Sequence, residues 1–270
     1  MDRSPASTLA TVRSLPVRRP ARQLARKPVA ASKGMPPESL PARLFLLAYD
    51  PAKGRMPTAG KLGPMLRAAA LIDLQLNGYL AAEGDRALVR SRHPVSTRPA
   101  VRTAPTAIAG AHPLLPHAAI PADPVIAQLF ADIRAKSPRK WGHWIARRHG
   151  AIIREVRDEL ERAHLIRVES YRVLGLFPVH RITLRRPLVR RKLVQAETDT
   201  LRPARLVTRV DLRDAALVVL AATADLRPVL SKEQRKRHKD RLAQLAVRVG
   251  PVVPELRKAL QSQHASAAAG

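Results

Sequence analysis

The pattern of apolar and polar residues is most informative between Leu62 and Leu80, where nearly every position is apolar. Helix-forming residues dominate this segment, Pro64 suits the first turn of a helix, and Gly78 suits its end. A helix that is apolar on every side belongs in a protein core. One arginine, Arg67, lies in its first half, and a buried cation must pair internally, reach the surface, or await an external anion. The segment therefore predicts a buried helix, and the partner of its arginine becomes the main question about function.

Helical spacing of apolar residues and capping signals predict further helices on both sides of this segment. Asp123 followed by Pro124 has the form of an N-cap and a first-turn proline, and Ser231 with Gln234 fits a capping box. The stretch 212–226 is again apolar all round, so we expect it to be buried. Helices are expected near residues 41–50, 123–135, 138–147, 151–165, 187–198, 212–226 and 231–249, with a short one from residue 255.

Two segments favour β-hairpins over helices. Tyr79–Ala82 and Ala87–Arg90 are short extended pieces around a Gly-Asp tip. Residues 165–184 are rich in Val, Ile, Leu, Tyr and Phe and partly alternate, which indicates a strand pair. The fold class predicted from these patterns is mainly α: one helical domain around buried apolar helices, with one or two small β-hairpins.

Composition sets the domain boundaries that we expect. Residues 1–39 are rich in Pro, Arg, Ser and Ala without a sustained period, which predicts a disordered basic tail. Residues 91–121 are proline-rich and are expected to form a loop insertion. The helical domain is predicted to span 40–262, with a disordered C-terminus at 263–270.

The charge of the chain is extreme, with 49 Lys and Arg against 21 Asp and Glu and a net charge of +28. Such a surface attracts polyanions, either nucleic acid or an anionic membrane face. An alternative is that the abundant arginine and alanine reflect the amino-acid bias of a GC-rich genome. The chain has no cysteine, so disulfides and thiolate metal sites are excluded.

Motifs of catalysis and of phosphate cradles are missing from the sequence. No GxxxxGK[ST], GxGxxG or GxSxG occurs, and the nine histidines have no HExxH spacing. We therefore expect a protein that is not an enzyme and that uses no metal and no cofactor.

Several segments, taken in order, resemble the Golgi phosphoprotein 3 family in its actinobacterial branch. They include LPARLFLLAYDPAKGR (40–55), LRAAALIDLQLNGYL (66–80), ADPVIAQLFADIRA (122–135), LERAHLIR (160–167) and LGLFPVHR (174–181). Members of this family are mainly α-helical, and their eukaryotic representatives are peripheral membrane adaptors. They bind phosphatidylinositol 4-phosphate and hold the tails of glycosyltransferases.

The resemblance implies a head-group site whose residues transfer only in part. The family's helix arginine corresponds to Arg67, whereas the tryptophan of the preceding loop has no counterpart in residues 53–61. The family's later basic pair falls near Gly150 and Ile153, so the nearby Arg154 and Arg157 are the candidates for that role. The alternative for Arg67 is a structural ion pair with Asp73 or another buried carboxylate. The alternative for Arg154 and Arg157 is pairing at i+4 with Asp158 and Glu161.

The resemblance also implies an apolar hairpin that takes part in membrane insertion or self-association. Its candidate residues are Val173, Leu174, Leu176 and Phe177, for which ordinary core packing is the alternative. We expect a peripheral, non-catalytic protein at the cytoplasmic, inner face of the membrane that binds an anionic, phosphoinositide-like lipid. Protein tails and a homo-oligomer are further partners under this hypothesis.

A nucleic-acid-binding protein is the alternative function. Its basis is the net charge, the basic tail, and the helix-then-hairpin segment Leu62–Arg90, which has the order of a winged helix. Against it, a recognition helix that is apolar on every side offers no polar row to base edges.

Overall fold

The computed structural model of the chain describes residues 35–90, 120–173 and 177–268, which fold mainly into α-helices. The predicted fold class is therefore confirmed. Most of the predicted tail and of the 91–121 insertion lies outside the described residues. The helices are α1 (Leu40–Ala48), α2 (Ala59–Leu76), α3 (Pro124–Lys136), α4 (Trp141–Ile145), α5 (His149–Arg162), α6 (Pro187–Thr200), α7 (Leu212–Thr223), α8 (Lys232–Arg237), α9 (Lys239–Val249) and α10 (Val252–Ala268).

Helix α2 is the centre of the fold, as its all-round apolar pattern predicts. Every residue from Leu62 to Leu74 is buried, and the helix packs against α1, α3, α4, α5, α7 and α10. The helix begins at Ala59, about one turn earlier than expected, so Pro64 lies inside it. Packing on all sides outweighs the hydrogen bond that a proline removes. Gly63 permits a close approach of α5, since a Cβ there would lie 2.3 Å from the Cβ of His149.

A buried carboxylate on α2 connects three helices. Asp73 Oδ2 accepts a hydrogen bond from the backbone N–H of Leu40, at 2.8 Å, where α1 begins. Its Oδ1 lies 2.9 Å from an Arg213 guanidinium nitrogen of α7 and accepts a bond from the Asn77 side chain at 2.8 Å. Because Ser39 makes no side-chain cap, Asp73 satisfies one of the free N–H groups at the start of α1.

Most of the other predicted helices are present with small shifts of boundary, whereas the single helix expected at 231–249 is divided at His238 into α8 and α9. Ile152, Val156 and Leu160 of α5 are buried on one face, as their spacing predicts, and α7 is buried through most of its length. The capping box of Ser231 and Gln234 is confirmed at the start of α8. Helix α10 continues to Ala268, so residues 263–268 are helical rather than the disordered C-terminus that we expected. Alanine is the best helix former, which accounts for the extension.

Among the described residues, five strands form two small antiparallel sheets, so the predicted hairpins are confirmed. The first sheet pairs β1 (Leu80–Glu83) with β2 (Arg86–Val89), and a two-residue strand, β3 (Arg139–Lys140), joins its edge. Strand β3 was not predicted, because two residues carry no periodicity. The second sheet pairs β4 (Ile166–Val173) with β5 (Phe177–Leu184).

The winged-helix interpretation of Leu62–Arg90 is wrong. A recognition helix must present side chains to a DNA groove, whereas α2 is enclosed by six other helices. The nucleic-acid alternative then depends only on the basic surface.

Glu197 on α6 is a buried acid without a partner among the described residues. It is 1% exposed, and neither carboxylate oxygen has a hydrogen-bond donor. Burial raises the pKa of Glu197 well above its usual value, Asp214 raises it further, and Arg43 opposes them. Burial without a hydrogen-bond donor therefore favours the neutral form of this side chain.

Replacing Arg213 with Gln should destabilise the fold more at pH 8 than at pH 5. Burial already raises the pKa of Asp73, while the Leu40 N–H and Arg213 lower it. Without Arg213 this pKa rises further, so stability falls as the pH rises from the unfolded pKa through the folded one. We expect a loss of about 3 kcal/mol at pH 8, measured by urea unfolding. Arg237→Gln, on exposed α8, is the control, and an equal loss at both pH values would contradict the explanation.

Glu197→Gln should raise the free energy of unfolding increasingly as the pH rises above 5. The folded protein binds this proton more tightly than the unfolded chain, so the contribution of Glu197 is lost as the pH rises toward its folded pKa. Glutamine keeps the shape and does not titrate. The difference between variant and wild type should grow by at most about 1.4 kcal/mol per pH unit. Urea unfolding at pH 5, 6, 7 and 8 tests this, and a difference independent of pH would contradict it.

Candidate functional site

Arg67 lies in the middle of α2 and is held by the backbone of a neighbouring helix. Its Nε donates a hydrogen bond to the carbonyl oxygen of Trp144 in α4, at 2.8 Å, and only 5% of the residue is exposed. Within the described ranges, no carboxylate oxygen lies within 4.0 Å of its guanidinium. The proposed pairing with Asp73 is wrong, because that carboxylate is bound to Arg213.

The guanidinium remains charged at neutral pH despite its burial. Burial lowers the pKa of Arg67 to about 10; the charges of Asp132 and Glu155 raise it, while that of Arg148 lowers it. Burial also raises the pKa of Glu155, and Arg148, Arg154 and Arg67 oppose this change. Arg67 is thus a desolvated cation whose positive charge is balanced only by carboxylates that lie beyond ion-pair distance.

A narrow cleft beside Arg67 is too small for a phosphate group as it stands. Its volume is about 10 Å³, roughly the minimum for one water molecule. Arg148 and Asp132 both line the cleft and form an ion pair at 2.9 Å. The Arg148 side chain is 58% exposed, so this pair is free to rearrange at small cost. The other lining residues come from α3 and α5: Val125, Gln128, Leu129, Ala151, Ile152 and Glu155.

The two other predicted head-group residues do not line this cleft. Arg154 is exposed, and Arg157 donates to the neighbouring Asp158 from Nε, at 3.1 Å, and from a terminal nitrogen, at 3.0 Å. The expected i,i+4 pairs are wrong, since Glu161 instead accepts a hydrogen bond from the backbone N–H of Val168. The register of α5 directs its core positions inward, leaves Arg154 exposed and leaves Arg157 partly buried. Their role in head-group binding stays a prediction.

Sequence reasoning considered Arg147 as a phosphate contact but did not predict the group of basic residues around α4 to which it belongs. Burial lowers the pKa of His143, and the charges of Arg147, Arg139, Lys136 and Arg67 lower it further, in that order. Lys136, Arg139 and Arg147 are exposed, and no carboxylate of the described residues pairs with them within 4.0 Å. We call Lys136, Arg139, His143 and Arg147 the α4 basic cluster. The sequence feature that could have revealed this cluster is the presence of basic residues on both sides of the short helix α4.

The tryptophans of α4 are core residues. Trp141 is fully buried and Trp144 is 3% exposed. They anchor α4 against the helical core, which brings the Trp144 carbonyl to Arg67. The α4 basic cluster therefore surrounds the short helix that binds the buried arginine: His143 lies on α4, and Lys136, Arg139 and Arg147 lie on either side of it in the chain.

The second hairpin carries the residues predicted for membrane insertion or self-association. Its strands pair from Ile166 with Leu184 to Val173 with Phe177, and its base packs on α5. Ile166 is buried in the core. Leu174 and Leu176 lie outside the described residues, as do the side chains of Val173 and Phe177, so their role stays a prediction.

The fold and these cations define a mainly α-helical protein with a basic surface, and none of its described helices has the length and hydrophobicity to cross a bilayer. The chain belongs to the Golgi phosphoprotein 3 (GPP34) family, whose sequence model matches residues 40–263. The resemblance found in the sequence is thereby confirmed. The family consists of non-enzymatic adaptors, and membership suggests a Golgi-associated, lipid-binding adaptor role. No curated protein matches the chain.

Arg67→Met should change the free energy of unfolding by no more than about 1–2 kcal/mol. The substitution removes one hydrogen bond to the Trp144 carbonyl but also removes the cost of burying a cation without a close carboxylate. Arg213→Met is the comparison and should destabilise more, since it leaves the buried Asp73 unpaired. Urea unfolding at pH 7 measures both. A loss above about 3 kcal/mol for Arg67→Met would mean that Asp132 or Glu155 neutralises it.

Proposed function

We propose that this protein is a peripheral membrane adaptor that binds the phosphorylated head group of an anionic phospholipid, of the phosphatidylinositol 4-phosphate type. The observation that carries this proposal is Arg67, a 5% exposed cation with no carboxylate of the described residues within 4.0 Å, bound to the helix that the α4 basic cluster surrounds. A desolvated guanidinium with free donors gains much from a phosphate, which it contacts through forked hydrogen bonds.

Attraction to the membrane comes first in this mechanism. The net charge of +28 draws the protein to an anionic leaflet, and each basic residue near the surface contributes about 1 kcal/mol. Lys136, Arg139 and Arg147 of the α4 basic cluster are suited to this step, because they are exposed and lack carboxylate partners among the described residues. This step needs no particular head group.

Recognition of one head group requires the cleft beside Arg67 to open. Its present volume of about 10 Å³ excludes a phosphate. We propose that Arg148 exchanges Asp132 for the lipid phosphate and thereby uncovers Arg67. The ion pair between them has a 58% exposed arginine, and pairs of this kind contribute only about 0–1 kcal/mol. The negative charge of the phosphate would then balance the positive charges of Arg67 and Arg148.

The remaining predicted residues have supporting roles in this proposal. Arg154 is exposed on α5 and Arg157 is partly buried beside Asp158, and both would contact neighbouring phosphates. Val173, Leu174, Leu176 and Phe177 would insert shallowly into the bilayer or join two copies of the protein. Protein tails are the further partners that an adaptor requires.

Liposome sedimentation at physiological salt tests the proposal. Three vesicles are compared: neutral phosphatidylcholine, the same lipid with phosphatidylinositol 4-phosphate, and the same lipid with phosphatidylserine at equal total charge. We expect wild type to pellet best with the phosphoinositide vesicles. Arg67→Met should weaken that binding by about tenfold or more while leaving phosphatidylserine binding nearly unchanged. Arg154→Gln and Arg157→Gln should have smaller effects.

Arg237→Gln is the matched control, since it removes the same charge from an exposed position of α8. Equal pelleting with neutral and anionic vesicles would exclude the adaptor mechanism. Binding of Arg67→Met equal to wild type on the phosphoinositide vesicles would exclude Arg67 as the head-group residue. A general loss shared by Arg67→Met and Arg237→Gln would point to diffuse charge alone.

A further inference from the structure

A second cavity, much larger than the cleft beside Arg67, lies between the α1–α2 loop and the turn that follows α7. Its volume is about 450 Å³, within the roughly 300–1,000 Å³ typical of small-molecule sites. Its walls are residues 50–58, the first turn of α2, and residues 225–228. None of its lining residues belongs to the cleft beside Arg67. The cavity is thus a separate feature of the fold.

Cations outnumber carboxylates in the walls of this cavity. Asp50 and Asp225 are the carboxylates, and Lys53, Arg55, Lys61 and Arg227 are the cations. Both carboxylates are already engaged. Asp50 Oδ1 accepts from the backbone N–H groups of Ala52, at 3.0 Å, and Lys53, at 3.3 Å.

Asp225 is engaged by two arginines, of which Arg227 also lines the cavity. Its carboxylate is bound by Arg235 of α8, and Arg227 lies 3.6 Å from its other oxygen. In the part of the chain that the structure describes, Lys53, Arg55 and Lys61 have no carboxylate within 4.0 Å. The lining of the cavity therefore carries an excess of two positive charges, from four cations and two carboxylates.

Lys61 is the half-buried cation at the inner wall. Its Nζ donates to the backbone carbonyl oxygen of Asp225, at 3.1 Å. Burial lowers the pKa of Lys61, the Asp225 charge raises it, and Arg235 and Arg227 lower it further. An ammonium group has three donors, and this one is bound to a neutral carbonyl among other cations. An anion in the cavity would supply the missing charge.

The loop that carries the two outer cations is already ordered. The backbones of Asp50 and Arg55 exchange two hydrogen bonds, at 2.9 and 3.3 Å, which close the turn between them. Gly54 has a φ of +60°, a conformation that glycine adopts without strain. Because the turn is closed without a ligand, binding loses little backbone entropy at this position.

The remaining wall is apolar and gives the cavity a second chemical character. Ala48, Met56, Pro57, Leu226 and Pro228 form it. A phosphate monoester carries a charge between about −1.5 and −2 at pH 7, which matches the excess of two cations. We propose that this cavity binds a phosphate group on a small, partly apolar molecule, with Lys61 at the inner wall and Lys53, Arg55 and Arg227 at the rim. This site is independent of the head-group function proposed for Arg67.

Isothermal titration calorimetry on the full chain tests this site with three water-soluble probes: inorganic phosphate, dihexanoylphosphatidic acid below its micelle concentration, and dihexanoylphosphatidylcholine. We expect saturable binding of the first two and none of the third. Tighter binding of the phosphatidic acid than of phosphate would support a ligand that also uses the apolar wall. Equal binding of the two would support recognition of free phosphate.

Lys61→Met keeps most of the side-chain volume and should weaken the binding of both anions by about tenfold or more. Arg134→Gln, an exposed α3 arginine outside the cavity, is the matched control and should bind as wild type does. Arg67→Met should also leave this binding unchanged, which separates the result from the proposed lipid function. If Lys61→Met does not fold, the rim variant Lys53→Gln/Arg55→Gln replaces it, because both positions are exposed.

Two results would overturn the proposal. One is the absence of saturable binding of either anion to wild type. The other is an equal loss in Lys61→Met and Arg134→Gln, which would show attraction to diffuse surface charge. A neutral substitution gives an independent check: Met56→Trp should reduce binding by filling the cavity without changing its charge, and unchanged binding would contradict the assignment.

Discussion

The interaction on which the rest of the structure depends is the carboxylate of Asp73 in the middle of the core. It receives the first N–H of α1, the side chain of Asn77 on its own helix, and the guanidinium of Arg213 from α7. This one buried group therefore holds α1 and α7 against α2. Since its charge is matched by a cation from another helix, Asp73 is not available to the arginine on its own helix.

Three charged residues of α2 follow at intervals of six, and this spacing explains much of the molecule. At about 100° per residue, six positions rotate a side chain by about 240°, so Lys61, Arg67 and Asp73 point in three different directions. Lys61 faces the large cavity, Arg67 faces α4 and the narrow cleft, and Asp73 faces α1 and α7. A single central helix thus presents two cations to two separate sites and keeps its one acid for the core.

The excess of basic residues has different consequences in different places. Arg213 and Arg248 bind backbone or carboxylate oxygens of the protein and belong to its internal structure. Lys136, Arg139 and Arg147 lie on the surface around His143 and have no acid nearby among the described residues. Net charge alone does not distinguish these groups. Only the second kind of cation is free to attract an anionic partner.

The sequence by itself determined the helical class, the burial of α2 and α7, the capping box of α8 and both hairpins, because these features depend on local periodicity and on capping chemistry. The resemblance to the Golgi phosphoprotein 3 family followed from segments in fixed order and was confirmed.

Tertiary structure alone decided the partners of the charged residues. Asp73 pairs with a residue 140 positions away, Arg157 turns to Asp158 instead of Glu161, and the large cavity joins residues 50–61 to residues 225–228. Long side chains reach neighbours that packing brings close, and sequence spacing carries no information about such neighbours.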